Sequence, residues 1–487
     1  MRWTSWLAVG VFAVGCGGAG EPWPGAESGG DVAGVTAAAT ATCGNGVVEA
    51  GELCDGAAVV SCSSLSGLYT AGQTRCASTC QGYEVARDCT RRAGLLTELV
   101  RPAVRDAQRW GDARCNDGTS FAFKFSPSPT GSKVWVINTV GGGYCDGKTA
   151  PCGDRDRKLT SGFLPADRHV TEGALGGSAI LSRDPEENPT FAQANQVSGH
   201  YCSSDLWTGT QTTRRPVDGN LNLYFAGRLN ARAMLDILRR DYGLDDRDPE
   251  VKVVFTGQSA GGQGAQNNAD QLARSMPRAW AGQRLWILPV AGWMTLDWND
   301  PNYTQGGLGD PDPVVSESLL SLYQAEFSPE CRALAQANGR SGAACFSGLP
   351  AVAALHLPRA RGGLGLRVLA ASNRRDPAYT SHHGLTDTSA QTNAAMQAWD
   401  DLMTREMRES GVRWLFAPSD DPRVGTTPLH GVYEYWRVPF KTYSAANDAC
   451  GVPYTVRDFR ELVTRFFEDP SPDTSRLKVC FNGEWLP

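Results

Sequence analysis

The chain carries a series of short, continuous apolar runs, each closed off by glycine or polar turn formers. Lys133 to Val140 (KVWVINTV) follows Gly131 and leads into Gly141-Gly142-Gly143. Val251 to Thr256 (VKVVFT), Leu285 to Val290 and Leu366 to Ala371 have the same character. Short runs rich in β-branched residues, without strict alternation, predict strands buried on both faces. Two segments with helical spacing lie between them, Leu221 to Arg240, ending near Gly243, and Ala260 to Ala273. Strands alternating with helices predict an α/β fold over residues 91–487, with a mostly parallel sheet and helices on both faces.

The first ninety residues have a different pattern. Arg2, the apolar run Leu7 to Val14, Gly15 and Cys16 have the order of an export signal. That run is too short to cross a bilayer as a helix, and no other stretch is long and apolar enough. Ala13-Val14-Gly15-Cys16 resembles a bacterial lipobox, although leucine is usual where Ala13 stands. Residues 1–16 are therefore expected to be a lipoprotein-type signal peptide with Cys16 as the lipidation site, and ordinary secretion is the alternative. Lipid would then be the membrane anchor of a bacterial cell-envelope or cell-surface protein. Residues 17–42, rich in Gly, Ala, Glu and Thr, read as a flexible linker.

Residues 43–90 form a small Cys-rich module with Cys43, Cys54, Cys62, Cys76, Cys80 and Cys89. A unit of this size buries little apolar surface, so disulfides are expected to hold it. Zinc is the rival reading, from Cys76-x3-Cys80, but the module has no histidine. The run from Cys43 to Gly56 (CGNGVVEAGELCDG) resembles a Cys-rich repeat of bacterial surface proteins.

Composition narrows the function classes. Of 487 residues, 41% are hydrophobic and 20% charged, which is ordinary globular chemistry, and the net charge of −6 gives no basic footprint for nucleic acid. Fifteen cysteines in an exported chain read as disulfides.

The chemistry is concentrated around Gly257-Gln258-Ser259-Ala260-Gly261. This G-x-S-x-G follows a predicted strand and opens a predicted helix, the setting of an α/β-hydrolase nucleophile elbow. Ser259 is the expected nucleophile, and it needs a histidine base held by a carboxylate. Of six histidines, His169 and His200 precede the serine, against the chain order Ser, acid, His, and His356 lies in an apolar segment. His382, His383 and His430 are left. His430, in the loop-like Thr427-Pro428-Leu429-His430-Gly431, is the expected base. Asp376, shortly after the strand Leu366 to Ala371, is the expected acid, with Asp387 and Asp297 as rivals. The N–H groups of Gly142, Gly143 and Ala260 are the expected oxyanion donors. No metal or cofactor is called for.

The segment Tyr201-Cys202-Ser203-Ser204-Asp205-Leu206-Trp207-Thr208-Gly209 resembles the signature of the pectin acetylesterase/Notum family. Pro185 to Pro189 (PEENP), Cys115 to Thr119 (CNDGT), Gly142-Gly143-Tyr144-Cys145 and Ser259-Ala260-Gly261-Gly262 resemble it too, collinear from about Ala113 to His430. The resemblance implies an α/β-hydrolase-like serine carboxylesterase with Ser259, Asp376 and His430 as its triad. It also implies the bridges Cys115–Cys202 and Cys145–Cys152. Cys331–Cys345 and Cys450–Cys480 are then the simplest remaining pairs. Two departures stand out. Gly143 replaces a tryptophan of Notum, and Val290-Ala291-Gly292-Trp293 lacks the family's aspartate. The expected substrates are O-acyl esters, with acetylated polysaccharide ahead of fatty-acyl esters. An inactive surface-binding protein and a serine peptidase are the competing classes.

Overall fold

The computed structural model describes residues 42–56, 59–147, 150–219, 221–295, 312–378, 390–412, 414–417, 430–437 and 458–469. The chain divides into two compact units, Met1–Ala38 and Ala39–Pro487, and all described residues belong to the second. Cys16, the lipobox and most of the linker lie outside the described residues.

The second unit is built on a nine-stranded sheet. In chain order its strands are β1 (Leu96–Val100), β2 (Phe123–Ser126), β3 (Val134–Thr139), β4 (His169–Glu172), β5 (Asn195–Gly199), β6 (Lys252–Gln258), β7 (Leu285–Val290), β8 (Arg367–Ala371) and β9 (Trp414–Phe416). Across the sheet the order is β9-β8-β7-β6-β3-β5-β2-β1-β4. Pairing is parallel from β9 through to β5 and antiparallel from β5 to β4. Adjacent residues face opposite sides, as the pleat requires. Trp135, Ile137, Val253 and Phe255 enter one core, and Val136 and Val254 enter the other. The fold is thus an α/β-hydrolase-like, mostly parallel sheet with its central strands buried on both faces.

The apolar runs that predicted strands became β3, β6, β7 and β8. The segment Leu221 to Arg240 is not one helix. Asn222–Phe225 is a strand paired with Gln211–Pro216, and helix α1 (Gly227–Tyr242) starts after it. Leu223 and Phe225 point inward while Tyr224 is half-buried, a period of two that the longer helical pattern masked. Gly243 ends α1 at φ +78, a left-handed cap that glycine adopts without penalty.

In the Cys-rich segment the bridges are Cys43–Cys80, Cys54–Cys76 and Cys62–Cys89, so the sulfurs are spent on one another rather than on zinc. The segment docks on the main sheet through a buried ionic node. Arg105 donates to Glu98 (3.0 Å), Asp167 (3.1 Å) and Asp241 (2.9 Å), and also to Leu65 O at 2.7 Å. Glu98 in turn accepts from Ser66 Oγ and Gly67 N. Tyr69 Oη donates to Asp241 O, and Tyr83 N to Arg240 O. These contacts gather at the C-terminal end of α1, whereas Ser259 lies just past the C-terminal end of β6. Among the described residues no helix is long and apolar enough to cross a membrane.

Candidate active site

β6 runs into helix α2 (Ala260–Ser275) through a single residue, Ser259, at φ 61 and ψ −129. A non-glycine residue there costs roughly 1–3 kcal/mol and persists only where its surroundings hold it. The surroundings do so. Ser259 N donates to Val290 O at 2.9 Å, and Thr139 Oγ1 donates to Gly261 O at 2.7 Å. Gly257 and Gly261 pass so close to one another and to Thr139 O that neither has room for a Cβ. The glycines of the motif thus permit the turn that projects Ser259 at the start of a helix, whose N-terminal dipole favours negative charge.

Asp376 stands just beyond β8, in the turn Ser372-Asn373-Arg374-Arg375-Asp376. Its carboxylate is buried, and Nδ1 of His430 lies 2.8 Å from both of its oxygens. Ala378 N donates to Oδ1 at 2.9 Å. A helix, α4 in chain order after α3 (Gly348–His356), spans Ala390–Glu409 and clamps this turn. Arg374 pairs with Asp400 at 2.9 Å, Arg375 pairs with it at 2.8 Å, and Trp399 Nε1 donates to Arg374 O. Arg374 Nε also donates to Ala417 O.

The segment after His430 is fastened to the strand that carries Ser259. Tyr433 N donates to Gln258 Oε1 at 3.2 Å, and the Tyr433 and Thr256 hydroxyls lie 2.6 Å apart. One element remote in sequence is therefore bonded to β6 at two points within three residues of the serine. Nothing in the local pattern announced Gln258, Tyr433, Arg374 or Asp400.

The Gly-rich loop after β3 meets the elbow directly. A Cβ on Gly141 would collide with Gln258 O and crowd Ser259 Cβ. Gly142 and Gly143 have φ +150 and +71. Behind them lies the segment 201–209. Tyr201 Oη donates to Gly143 O (2.8 Å), Trp207 Nε1 donates to Val140 O (3.0 Å), and the two rings stack at 5.5 Å. Burial pushes the Tyr201 hydroxyl far above its ordinary value, which keeps it a donor. Asp205 is fully buried and accepts from Ser203 Oγ, Trp207 N and Gly227 N. Burial pushes its carboxyl up to about 6, and the three donors oppose that shift. The signature run therefore backs the loop and ties it to the start of α1.

Cys115 is bonded to Cys202, Cys145 to Cys152 and Cys331 to Cys345. Cys450 and Cys480 lie outside the described residues, as do His382, His383, Asp297 and Asp387. His169 is exposed on the edge strand β4. Nε2 of His200 is 2.8 Å from Thr160 O, and that of His356 is 2.5 Å from Ser410 O. Among the described residues, Cys43, Glu52, Asp55 and Cys80 are close enough together to suit a metal, but both sulfurs belong to a disulfide.

Residues 99–306 match the family model described as pectinacetylesterase. An inactive palmitoleoyl-protein carboxylesterase, notum1b of Danio rerio, is 39% identical over 114 residues, which are 22% of this chain and 76% of that protein. The chain belongs to the pectin acetylesterase/Notum family. The palmitoleoyl-protein carboxylesterase NOTUM of Schmidtea mediterranea is 36% identical over 169 residues, 34% of this chain and 30% of its own length. The match thus spans less than a third of that relative. The solved Wnt deacylase Notum from Drosophila superposes with a TM-score of 0.53 at 22% identity, covering 71% of this chain and 88% of that one. The family's fold is therefore the fold described above.

Proposed function

We propose that this chain is a serine carboxylesterase that cleaves O-acyl esters through Ser259, His430 and Asp376. One observation carries the reading: the buried Asp376 carboxylate holds Nδ1 of His430 through both oxygens at 2.8 Å. Nδ1 then bears the proton and Nε2 carries the lone pair that a base needs. A relative named as inactive belongs to the same family, so membership alone does not imply turnover; the carboxylate–imidazole pair beside a strained serine elbow does the arguing.

In the proposed cycle His430 takes the Ser259 proton as Oγ attacks the ester carbonyl. The oxyanion is received by the N–H groups of Gly142, Gly143 and Ala260. The alcohol leaves with a proton from His430, and water activated by the same imidazole then releases the acid. Asp376 keeps the ring oriented and stabilises its charged form.

For the substrate we favour acetyl esters of polysaccharide, which the match to the pectinacetylesterase model supports. The palmitoleoyl-protein carboxylesterases among the relatives support a second reading, a fatty-acyl ester. We place the protein outside the cytoplasm, held by lipid on Cys16. Six disulfides among the described residues support an oxidising compartment.

Hydrolysis of p-nitrophenyl esters from acetate to long acyl chains, with Ser259→Ala as control, tests both levels. Acetate preference supports the polysaccharide reading, and preference for long chains replaces it with the lipid one. Undiminished activity in Ser259→Ala would remove the mechanism.

A further inference from the structure

The carbonyls of the Gly-rich loop are gripped from one side by a single guanidinium. Arg155 Nη2 donates to Gly142 O at 2.8 Å, and Nη1 donates to Tyr144 O at 3.1 Å. Nε donates to Ser204 Oγ at 2.7 Å, which anchors the head to the segment behind the loop. A Cβ on Gly143 would lie 3.6 Å from Nη1, so the guanidinium runs alongside that residue. Arg155 itself follows closely on Cys152, which is bonded to Cys145 at the far end of the loop.

None of the described peptide bonds is cis. In a trans peptide the C=O of one residue and the N–H of the next point in opposite directions. A hydrogen bond on Gly142 O therefore sets the direction of the Gly143 N–H. Gly142 and Gly143 sit at positive φ, where glycine's own torsional preference is too weak to fix the plane. The aim of the donor has to come from outside the loop.

We propose that Arg155 is a positioning residue, which turns the Gly142–Gly143 peptide so that the Gly143 N–H faces the oxyanion formed at Ser259. This rests on the esterase reading above. The fork geometry of arginine is what the role requires, because two carbonyls and a hydroxyl are met at once by donors held in one plane. An ammonium can meet one of them well, but not all three together. The positive head also polarises the peptide from its carbonyl end, which strengthens the donor at the other end.

The test compares wild type, Arg155→Met and Arg155→Lys as full chains, using p-nitrophenyl acetate, a fluorophosphonate that labels serine nucleophiles and an alkyl trifluoromethyl ketone. Loss of one oxyanion donor costs about 100- to 1000-fold, so a misaimed donor in Arg155→Met should lower kcat about 10- to 100-fold. KM should move by less than about threefold, since the contact is made in the transition state. Arg155→Lys should recover part of the loss. The ketone, which forms an oxyanion when serine adds to it, should bind more weakly in step with kcat. A loss confined to KM, a loss explained by an unfolded fraction in a melting curve, or an unchanged kcat each overturns the proposal. A wild type that neither turns over an ester nor takes up the fluorophosphonate on Ser259 would remove the esterase reading and this inference with it. A reactive wild type beside an equally reactive Arg155→Met would remove this inference alone.

Discussion

The hydroxyls of Tyr433 and Thr256 lie 2.6 Å apart, three residues after His430 in one case and three before Ser259 in the other. Thr256 gives its proton to Leu288 O at 2.7 Å, so Tyr433 is the donor to Thr256. The bond ties the segment that carries the base to the strand that carries the nucleophile. Tyr433→Phe should therefore lower kcat on p-nitrophenyl acetate several-fold, with KM nearly constant. Its direct cost in stability should be about 1 kcal/mol, the net worth of one buried hydrogen bond. Steady-state kinetics beside a urea titration check this, and an unchanged kcat would mean that His430 is held elsewhere.

Asp376→Asn probes the opposite side of the imidazole. An amide in place of the carboxylate removes the charge that supports the imidazolium and admits the wrong tautomer. The expected loss in kcat is about 1000- to 10,000-fold, with the fold retained because Arg374, Arg375 and Asp400 still hold the turn. Activity within tenfold of wild type would point to another residue as the acid.

Parts of this arrangement were legible in the sequence because they are local. Gly257 to Gly261, set between a run that reads as a strand and a run that reads as a helix, marks a strand-to-helix turn, and neither Gly257 nor Gly261 has room for a Cβ. The continuous runs of β3, β6, β7 and β8 reflect burial on two faces. The antiparallel half of the sheet was not legible. β2 has only four residues and β4 is mostly exposed, so neither has a long apolar run. Asp376 and His430 were placed by chain order, yet their meeting joins residues 54 apart. Arg155, Gln258 and Tyr433 are ordinary residue types whose roles arise from tertiary placement, which no spacing encodes.

The node at Arg105 allows a stability test remote from the chemistry. Its side chain is 1% exposed and faces Glu98, Asp167 and Asp241 together. Arg105→Met would leave those carboxylates without their shared cation, a change that typically costs about 3–5 kcal/mol. Chemical denaturation should show this loss, and limited proteolysis should cut first within residues 43–90, whose Leu65 O, Ser66 and Gly67 are held at the node. Loss of less than 1 kcal/mol would mean that the ion cluster adds little beyond packing.

Asp205 should leave a signature in the pH dependence of stability. Its folded carboxyl is pushed up to about 6 by burial, from an ordinary 3.8. The folded protein therefore holds a proton between those values that the unfolded chain has released. The stability this provides is fully present below about pH 4 and is lost as pH rises through about 6. At about 1.4 kcal/mol per pH unit the difference amounts to roughly 3 kcal/mol by pH 7. Asp205→Asn does not titrate, so the wild-type stability minus that of the variant should fall by roughly this amount between pH 4 and pH 7. The subtraction matters because other carboxylates titrate over the same range in both proteins and cancel. Ser203 Oγ, Trp207 N and Gly227 N all donate to the carboxylate, and a stronger hold by these donors would make the difference flat or reverse it. Urea titrations of the two proteins at matched pH values decide between them. A flat difference would mean that Asp205 stays ionised behind the oxyanion loop, stabilised by its donors rather than strained by its burial.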